Sequence, residues 1–196
     1  MPEEKKQSYL SEFKQDLPFV WKIHRFIFGK QLPDHYTRWT FRFNLLIVLL
    51  FLFWHGVSFY VIDLRDLIYE QKNINVEQLI FCRGEKLGFS SFYFLRKLIE
   101  YHLYSIFVWL VFLAGLILLW RKSTSVIYLF LGGFIAYFGI IFFVMNIKFF
   151  HEDTTLFDKV VLSIFAGNLL LYFYIQHIIR KRKTRSEQEE THIASV

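Results

Sequence analysis

Four long apolar runs constrain this chain more than any other feature. They occupy residues 43–62, 101–120, 126–147 and 160–179, and charged or polar residues flank each of them. An α-helix rises about 1.5 Å per residue, so about 20 residues span about 30 Å, the thickness of the hydrocarbon core of a bilayer. We therefore expect an all-α integral membrane protein, built as a bundle of four transmembrane helices.

The composition agrees with a membrane protein and gives no sign of a disulfide or zinc site. Of the 196 residues, 55% are hydrophobic and only 20% are charged, which is unusual for a soluble domain. The single cysteine, Cys82, has no intrachain partner, and no Cys/His spacing typical of zinc is present. Residues 1–42 are largely polar and lack the pattern of a cleavable signal peptide, so we expect the first span to direct insertion.

The distribution of basic residues predicts the orientation. With the amino terminus inside, 15 of the 23 Lys and Arg residues lie in the inner segments 1–42, 121–125 and 180–196. Lys and Arg are retained on the cytoplasmic side, so we expect both termini in the cytoplasm and the protein in the cytoplasmic (inner) membrane. The basic residues next to the spans are Arg121, Lys122, Arg180, Lys181, Arg182, Lys183 and Arg185. The net charge of +6 is thus explained by topology, and we expect no nucleic-acid partner.

Two regions outside the spans also have helical patterns. Residues 17–28 form an amphipathic pattern with Pro18 suited to a first turn and Gly29 to a stop, which predicts a helix lying in the inner interface. The alternative is a cytoplasmic helix packed on the end of the bundle. Residues 63–100 predict a partly helical outer cap with a turn at 83–88, followed by a helix that leads into the second span. The tail, 180–196, is basic and then acidic.

Polar residues inside the spans are the candidates for function, because such residues are costly in a bilayer and tend to face protein or water. We predict a cavity in the outer half of the bundle lined by His55, Ser58, Asn146, Asn168 and Tyr172. His55 and Asn168 lie at nearly the same predicted depth. The alternative for His55 is an interhelical hydrogen bond that serves packing alone. The span boundaries place His102 about 9 Å from His55 in depth, which disfavours a shared haem.

Small residues predict where the helices approach one another. On the third span Gly132 and Ala136 form a small-xxx-small pair, a pattern that permits close approach between helices. Packing within the chain is favoured over packing between subunits for this face. The full set of predicted packing residues is Gly132, Ala136, Gly139, Ala114, Gly115, Ala166 and Gly167.

The chain resembles the DoxX-like group of small four-helix membrane proteins in its number of spans and in the short hairpin joining the second and third. This resemblance is one of topology, since residues 57–60 are Val-Ser-Phe-Tyr where that group has Gly and Lys. It implies a small transporter or a redox-linked protein, in which haem or quinone would be the cofactor.

No catalytic residues and no resident cofactor are predicted. The sequence lacks a Gly-rich phosphate loop, HExxH and GxSxG. The leading hypothesis is therefore a non-enzymatic accessory or structural subunit of an inner-membrane assembly, whose partners are the bilayer and other membrane subunits or further copies of itself. The DoxX-like interpretation is the second hypothesis, and a membrane-disrupting oligomer is the third.

Overall fold

The structure, a computed structural model, describes Phe19, Lys22, Arg25, Gly29 and residues 33–123 and 125–194, with the backbone alone given for Ser91, Arg180 and 182–194. Within residues 33–194, apart from residue 124, which is not described, there is no strand. Their α-helices are α1 (His35–Asp63), α2 (Arg65–Lys72), α3 (Val76–Lys86), α4 (Ser91–Trp120), α5 (Val126–Gly139) and α6 (Leu156–Ala194). Two π-helical segments follow α5, at Ile140–Met145 and Phe149–Asp153.

Four of these segments are long and apolar enough to cross a membrane, as the hydropathy pattern predicts. They are His35–Asp63, Phe92–Trp120, Val126–Met145 and Leu156–Ile179. The helices extend beyond the predicted apolar runs, because hydropathy marks the part of a helix that lies in lipid whereas capping residues mark its ends. The short helices α2 and α3 lie between α1 and α4, and we call the end of the bundle that carries them the cap end.

The start of α1 is fixed by its capping residue, Asp34. The Asp34 carboxylate accepts hydrogen bonds from the backbone N–H of Thr37 at 3.0 Å and from the Thr37 hydroxyl at 2.9 Å. Lys122, in the turn between α4 and α5, forms an ion pair with Asp34 at 2.6 Å. Burial acts to raise the pKa of Asp34, but Lys122 and Thr37 outweigh it and lower that pKa to about 2. This contact joins the start of α1 to the α4–α5 turn at the end of the bundle opposite the cap.

An aromatic core centred on Trp109 of α4 joins the four long helices. The Trp109 ring stacks on Phe51 of α1, with centroids 4.3 Å apart, and contacts Tyr137 of α5 and Phe165 of α6 at 5.6 Å each. Inside a bilayer, lipid tails are as apolar as the side chains, so close packing rather than escape from water holds helices together. Large flat rings in contact provide that packing.

The glycine that permits close packing on α5 is Gly133, which the sequence analysis did not single out. A Cβ at Gly133 would lie 2.5 Å from the Phe112 ring of α4, whereas a Cβ at Gly132 would meet nothing within 4 Å. Gly132 and Ala136 are exposed on the outer surface of the bundle. The prediction that this pair packs within the chain is therefore wrong. The neighbouring residue, Gly133, is the one that faces α4.

The remaining predicted packing residues are divided between the inside and outside of the bundle. Gly115 is buried, and a Cβ there would lie 3.2 Å from the Phe130 ring, so this glycine does allow a close approach. Ala114 and Gly167 are exposed, and Ala166 and Gly139 are half-buried. Small size alone therefore does not identify the packed face of these helices.

The third span ends earlier than the predicted residue 147. Helix α5 continues as a π-helix to Met145, and Asn146 then adopts a φ of 113°. The Asn146 side chain accepts a hydrogen bond from the backbone N–H of Phe149 at 2.8 Å. Because its ψ is 169°, Asn146 lies outside the left-handed helical region that Asn tolerates and in one that is essentially confined to glycine, which costs about 1–3 kcal/mol. Asn146 thus acts as a turn residue here.

The cap is helical, and its turn occupies only the end of the predicted range 83–88. Helix α3 continues to Lys86, and Gly88, with a φ of 85°, makes the turn. Gly84 lies inside α3, where a Cβ would come within 2.7 Å of Phe94, so close approach to α4 explains this glycine. Lys148 donates to the carbonyl of Lys86 at 2.7 Å, which fastens the cap to the α5–α6 connection.

The predicted helix at 17–28 lies mostly outside the described residues. Phe19, Lys22 and Arg25 are helical and exposed, and Gly29, with a φ of 81°, donates its N–H to the Arg25 carbonyl at 2.9 Å. Of the basic tail, Lys181 is exposed, and the side chains of 182–185 are not described. The backbone of α6 continues through this tail to Ala194.

The two neighbouring glycines of α5 provide a matched test of the packing. Gly133→Ala should lower the free energy of unfolding by about 1–3 kcal/mol, because the added methyl overpacks against Phe112. Gly132→Ala should leave stability unchanged or raise it by up to about 1 kcal/mol, since Ala favours a helix and nothing opposes its side chain. Loss of helical circular dichroism during SDS titration in mixed micelles measures both. Equal effects of the two substitutions would contradict the observed face of α5.

Candidate functional site: a cavity around a histidine pair

Two buried histidines, His55 of α1 and His102 of α4, meet inside the cap-end half of the bundle. Their Nδ1 atoms are 3.0 Å apart, and the residues are 2% and 7% exposed. The expectation that they lie about 9 Å apart in depth is wrong. It took residue 101 as the outer end of the second span, whereas α4 begins at Ser91, so His102 lies well inside the helix.

The contact between the two Nδ1 atoms sets the protonation of the pair. In a hydrogen bond between two imidazole nitrogens, one must carry the proton and the other must accept it. If His55 donates through Nδ1, its Nε2 is a bare acceptor. If His102 donates instead, His55 Nε2 carries a proton when the ring is neutral. In both cases the two rings are coupled, because moving the shared proton changes whether each Nε2 donates or accepts a hydrogen bond.

The outer nitrogen of His55 has no partner among the described residues. Its Nε2 atom is buried and makes no hydrogen bond within that part of the chain. An unsatisfied polar atom in a low-dielectric interior costs about 1–3 kcal/mol, so one that persists in a structure needs an explanation. His55 is also one of the residues that line a cavity.

The cavity has a volume of about 360 Å³ and is bounded by α1, α3, α4, the end of α5 and the start of α6. This size lies within the usual range for small-molecule sites. Apolar side chains contribute 9 of the 19 lining residues. They are Phe51, Trp54, Val57, Val61, Ile62, Val76, Ile80, Leu98 and Phe149. The polar lining comes from His55, His102, Ser58, Tyr101, Tyr137, Thr154, Thr155, Arg83, Asp153 and Asp158.

The charged groups of the lining lie at the cap-end rim and are paired within the protein. Arg83 of α3 forms an ion pair with Asp153 of the second π-helical segment. The Asp158 carboxylate accepts a hydrogen bond from the Thr155 hydroxyl at 2.7 Å. Tyr101 and Tyr137 also line the cavity. The charged groups of the lining are therefore engaged with neighbouring side chains, and the other lining residues are neutral.

The five predicted cavity residues do not all come together. His55 and Ser58 line the cavity. Asn146 forms the turn after α5, and Tyr172 lies toward the other end of the bundle, where its hydroxyl is 3.2 Å from that of Thr37. Asn168 is half-buried on α6, and it is absent from the cavity lining. Residues of α4 and of the α5–α6 connection therefore line the cavity with His55, in place of the predicted Asn146, Asn168 and Tyr172.

The sequence analysis missed His102, Tyr101 and Tyr137 as members of this site. A signal for His102 was present, since Ser90 and Ser91 are plausible caps that mark where the second spanning helix begins. Counting from Ser91 places His102 eleven residues inside its helix, and His55 lies eight residues inside Asp63. The depth comparison failed because it used the apolar run rather than the helix.

The histidine pair as it stands is not arranged as a metal site. Metal–imidazole bonds are about 2 Å long, so two histidines on opposite sides of one iron need nitrogens about 4 Å apart. The 3.0 Å contact between the Nδ1 atoms is that of a hydrogen bond. Among the described residues, no group of three or more His, Cys, Asp and Glu side chains is placed to hold a metal ion.

No protein-family model matches the chain, and comparisons with curated proteins and with solved structures find no match. What the fold and site define is an all-helical protein with four helices of membrane-spanning length and a histidine-lined cavity at one end of the bundle.

A double-mutant cycle tests the pairing of the histidines. His55→Phe or His102→Phe alone should each lower the free energy of unfolding by about 1–3 kcal/mol, because one imidazole loses its partner. The double variant should cost less than the sum by about 0.6 kcal/mol, the average for hydrogen bonds between membrane helices, and by at most about 1.7 kcal/mol. As the control, His55→Phe combined with His151→Phe should be additive, since His151 is exposed. Additivity in the first cycle would show that the two rings do not interact.

Proposed function

We propose that this chain is a multi-pass membrane protein that binds a small neutral molecule in the cap-end cavity, for transport or redox coupling. One observation carries the proposal: His55, whose Nε2 is buried without a partner among the described residues, lines a cavity of about 360 Å³. A histidine that served packing alone would need only its Nδ1 contact with His102. The second nitrogen is best explained by a molecule that hydrogen-bonds to it.

The proposed orientation places the cavity on the outer side of the inner membrane. Both termini and the α4–α5 turn then lie in the cytoplasm, where 15 of the 23 Lys and Arg residues are collected. The cap helices and the rim ion pair face the periplasmic or external side. A ligand of this cavity would accordingly come from outside the cell or from the outer half of the bilayer.

Filling the cavity tests the proposal. Ser58→Phe places a ring inside the cavity, whereas Ser163→Phe makes the same change on an exposed face of α6. Each protein is purified in lipid nanodiscs, and the molecules extracted from it are measured by mass spectrometry. Wild type and Ser163→Phe should retain a common small molecule that falls at least about tenfold in Ser58→Phe. Identical extracts from three monodisperse proteins would contradict the proposal.

An accessory subunit of a membrane assembly is the second candidate. The observation that favours it is the outward-facing pair Gly132 and Ala136, a pattern that lets another helix approach closely. The same purification in mild detergent separates the two proposals. An accessory subunit should carry a stoichiometric membrane partner in both serine variants, independent of the cavity.

A further inference from the structure

A second, smaller cavity lies at the end of the bundle opposite the cap. It has a volume of about 130 Å³ and lies between the α4–α5 turn and residues 172–177 of α6. This volume is below the range of about 300–1,000 Å³ that is usual for small-molecule sites. The cavity, which we call the turn groove, therefore has room for one part of a molecule whose remainder lies outside it.

The turn groove is polar at one end and apolar at the other. Its polar lining side chains come from the turn and from α6, and they are Lys122, Ser123, Gln176 and His177. Ile127 of α5 and Phe173 of α6 also line the groove, about one helical turn nearer the centre of the bundle. Both lie within segments of membrane-spanning length, whereas the α4–α5 turn lies between two such segments. The groove is thus amphiphilic along its length.

Aromatic side chains that carry a polar group lie at the same level on three helices. Trp39 of α1, Tyr128 of α5 and Tyr174 of α6 are 53%, 76% and 64% exposed. Tyr128 and Tyr174 directly follow Ile127 and Phe173 in the sequence. Trp and Tyr are enriched where a membrane protein passes from lipid to water. In a bilayer, the turn groove would therefore open at the level of the lipid headgroups.

The polar end of the turn groove matches an anionic group. All four polar lining side chains can donate hydrogen bonds, and none of the described lining residues is acidic. Lys122 pairs with Asp34 at 2.6 Å, but its side chain is 49% exposed and its ammonium group has three N–H donors. Helix α6 continues from the groove into residues 180–185, five of which are Lys or Arg. A phosphate group would meet several donors and an excess of positive charge here.

We propose that the turn groove binds the headgroup phosphate of an anionic phospholipid from the bilayer leaflet at this end of the bundle. Lys122, Gln176 and their polar neighbours donate to the phosphate oxygens, and an acyl chain lies along Ile127 and Phe173. The apolar end of the groove favours a lipid over a free phosphate ion, which would leave these side chains uncovered. The bound lipid joins the α4–α5 turn to α6, and this site is separate from the cap-end cavity.

Thermal unfolding of the full chain in dodecylmaltoside micelles, with added dioleoylphosphatidylglycerol, tests the polar end. This lipid should raise the midpoint of wild type in a saturable way, because a ligand that binds only the folded state stabilises it. Gln176→Glu should reduce the shift at least about fivefold, since a carboxylate in the groove repels the phosphate. Gln71→Glu, the same change at an exposed position of α2, should preserve the shift. The two variants have the same net charge, so only a local effect separates them.

A second pair of variants tests the apolar end without changing any charge. Ile127→Trp places a bulky ring where the acyl chain would lie, so it should also reduce the shift. Leu131→Trp, at a position of α5 that is 57% exposed and outside the groove lining, should preserve it. A shift that is the same in both tryptophan variants would contradict the proposed position of the chain.

The remaining outcomes separate the lipid from other ligands and from the proposed cavity function. Equal shifts in Gln176→Glu and Gln71→Glu would show an effect of net charge alone and would overturn the site. An equal shift with the soluble headgroup glycerophosphoglycerol would overturn binding of a lipid, and one with dioleoylphosphatidylcholine would overturn the preference for an anionic lipid. Ser58→Phe should leave the shift unchanged, because Ser58 lines the other cavity. Loss of the lipid shift in Ser58→Phe would contradict two separate sites.

Discussion

The hydrogen bond between His55 and His102 is the contact on which the rest of the bundle depends. An imidazole inside a spanning helix is costly unless its nitrogens are satisfied, so each ring restricts where the other can lie. The 3.0 Å contact between their Nδ1 atoms fixes one antiparallel register of α1 and α4. Phe51 then stacks on Trp109, and Phe41 reaches Trp120 further along. Helices α5 and α6 pack on the aromatic surface that this register creates.

The cavity follows from the way the chain leaves α5. The π-helical segment and the positive φ of Asn146 end α5 early and turn the chain back over the histidine pair. That path brings Phe149 and Asp153 to the cavity, and Asp153 then pairs with Arg83 of the cap. π-Helical turns interrupt regular packing and are frequent at functional sites. Here the interruption leaves a space beside His55, whose buried Nε2 has no partner among the described residues.

Hydropathy was sufficient to predict four helices long and apolar enough to span a membrane, because the apolar length that a span needs is set by the thickness of the bilayer. It was insufficient for register. The apolar run begins at residue 101, ten residues after the start of α4. The run therefore did not predict that His102 lies close enough to His55 to pair with it. Gly132 and Gly133 are neighbours in the sequence and lie about 100° apart around the helix. Only the packed structure shows which of the two faces α4. The turn at Asn146 depends on a single backbone angle that has no hydropathy signal.

A direct test of this account is the scalar coupling between nitrogens across the His55–His102 hydrogen bond, measured by NMR on protein labelled with ¹⁵N at its 7 histidines. Because the two Nδ1 atoms share one proton, the account predicts a ¹⁵N–¹⁵N coupling that joins one Nδ1 pair and disappears in His102→Phe. Two histidine side chains that show no mutual coupling, with spectra that respond independently to each substitution, would contradict the register and the cavity built on it.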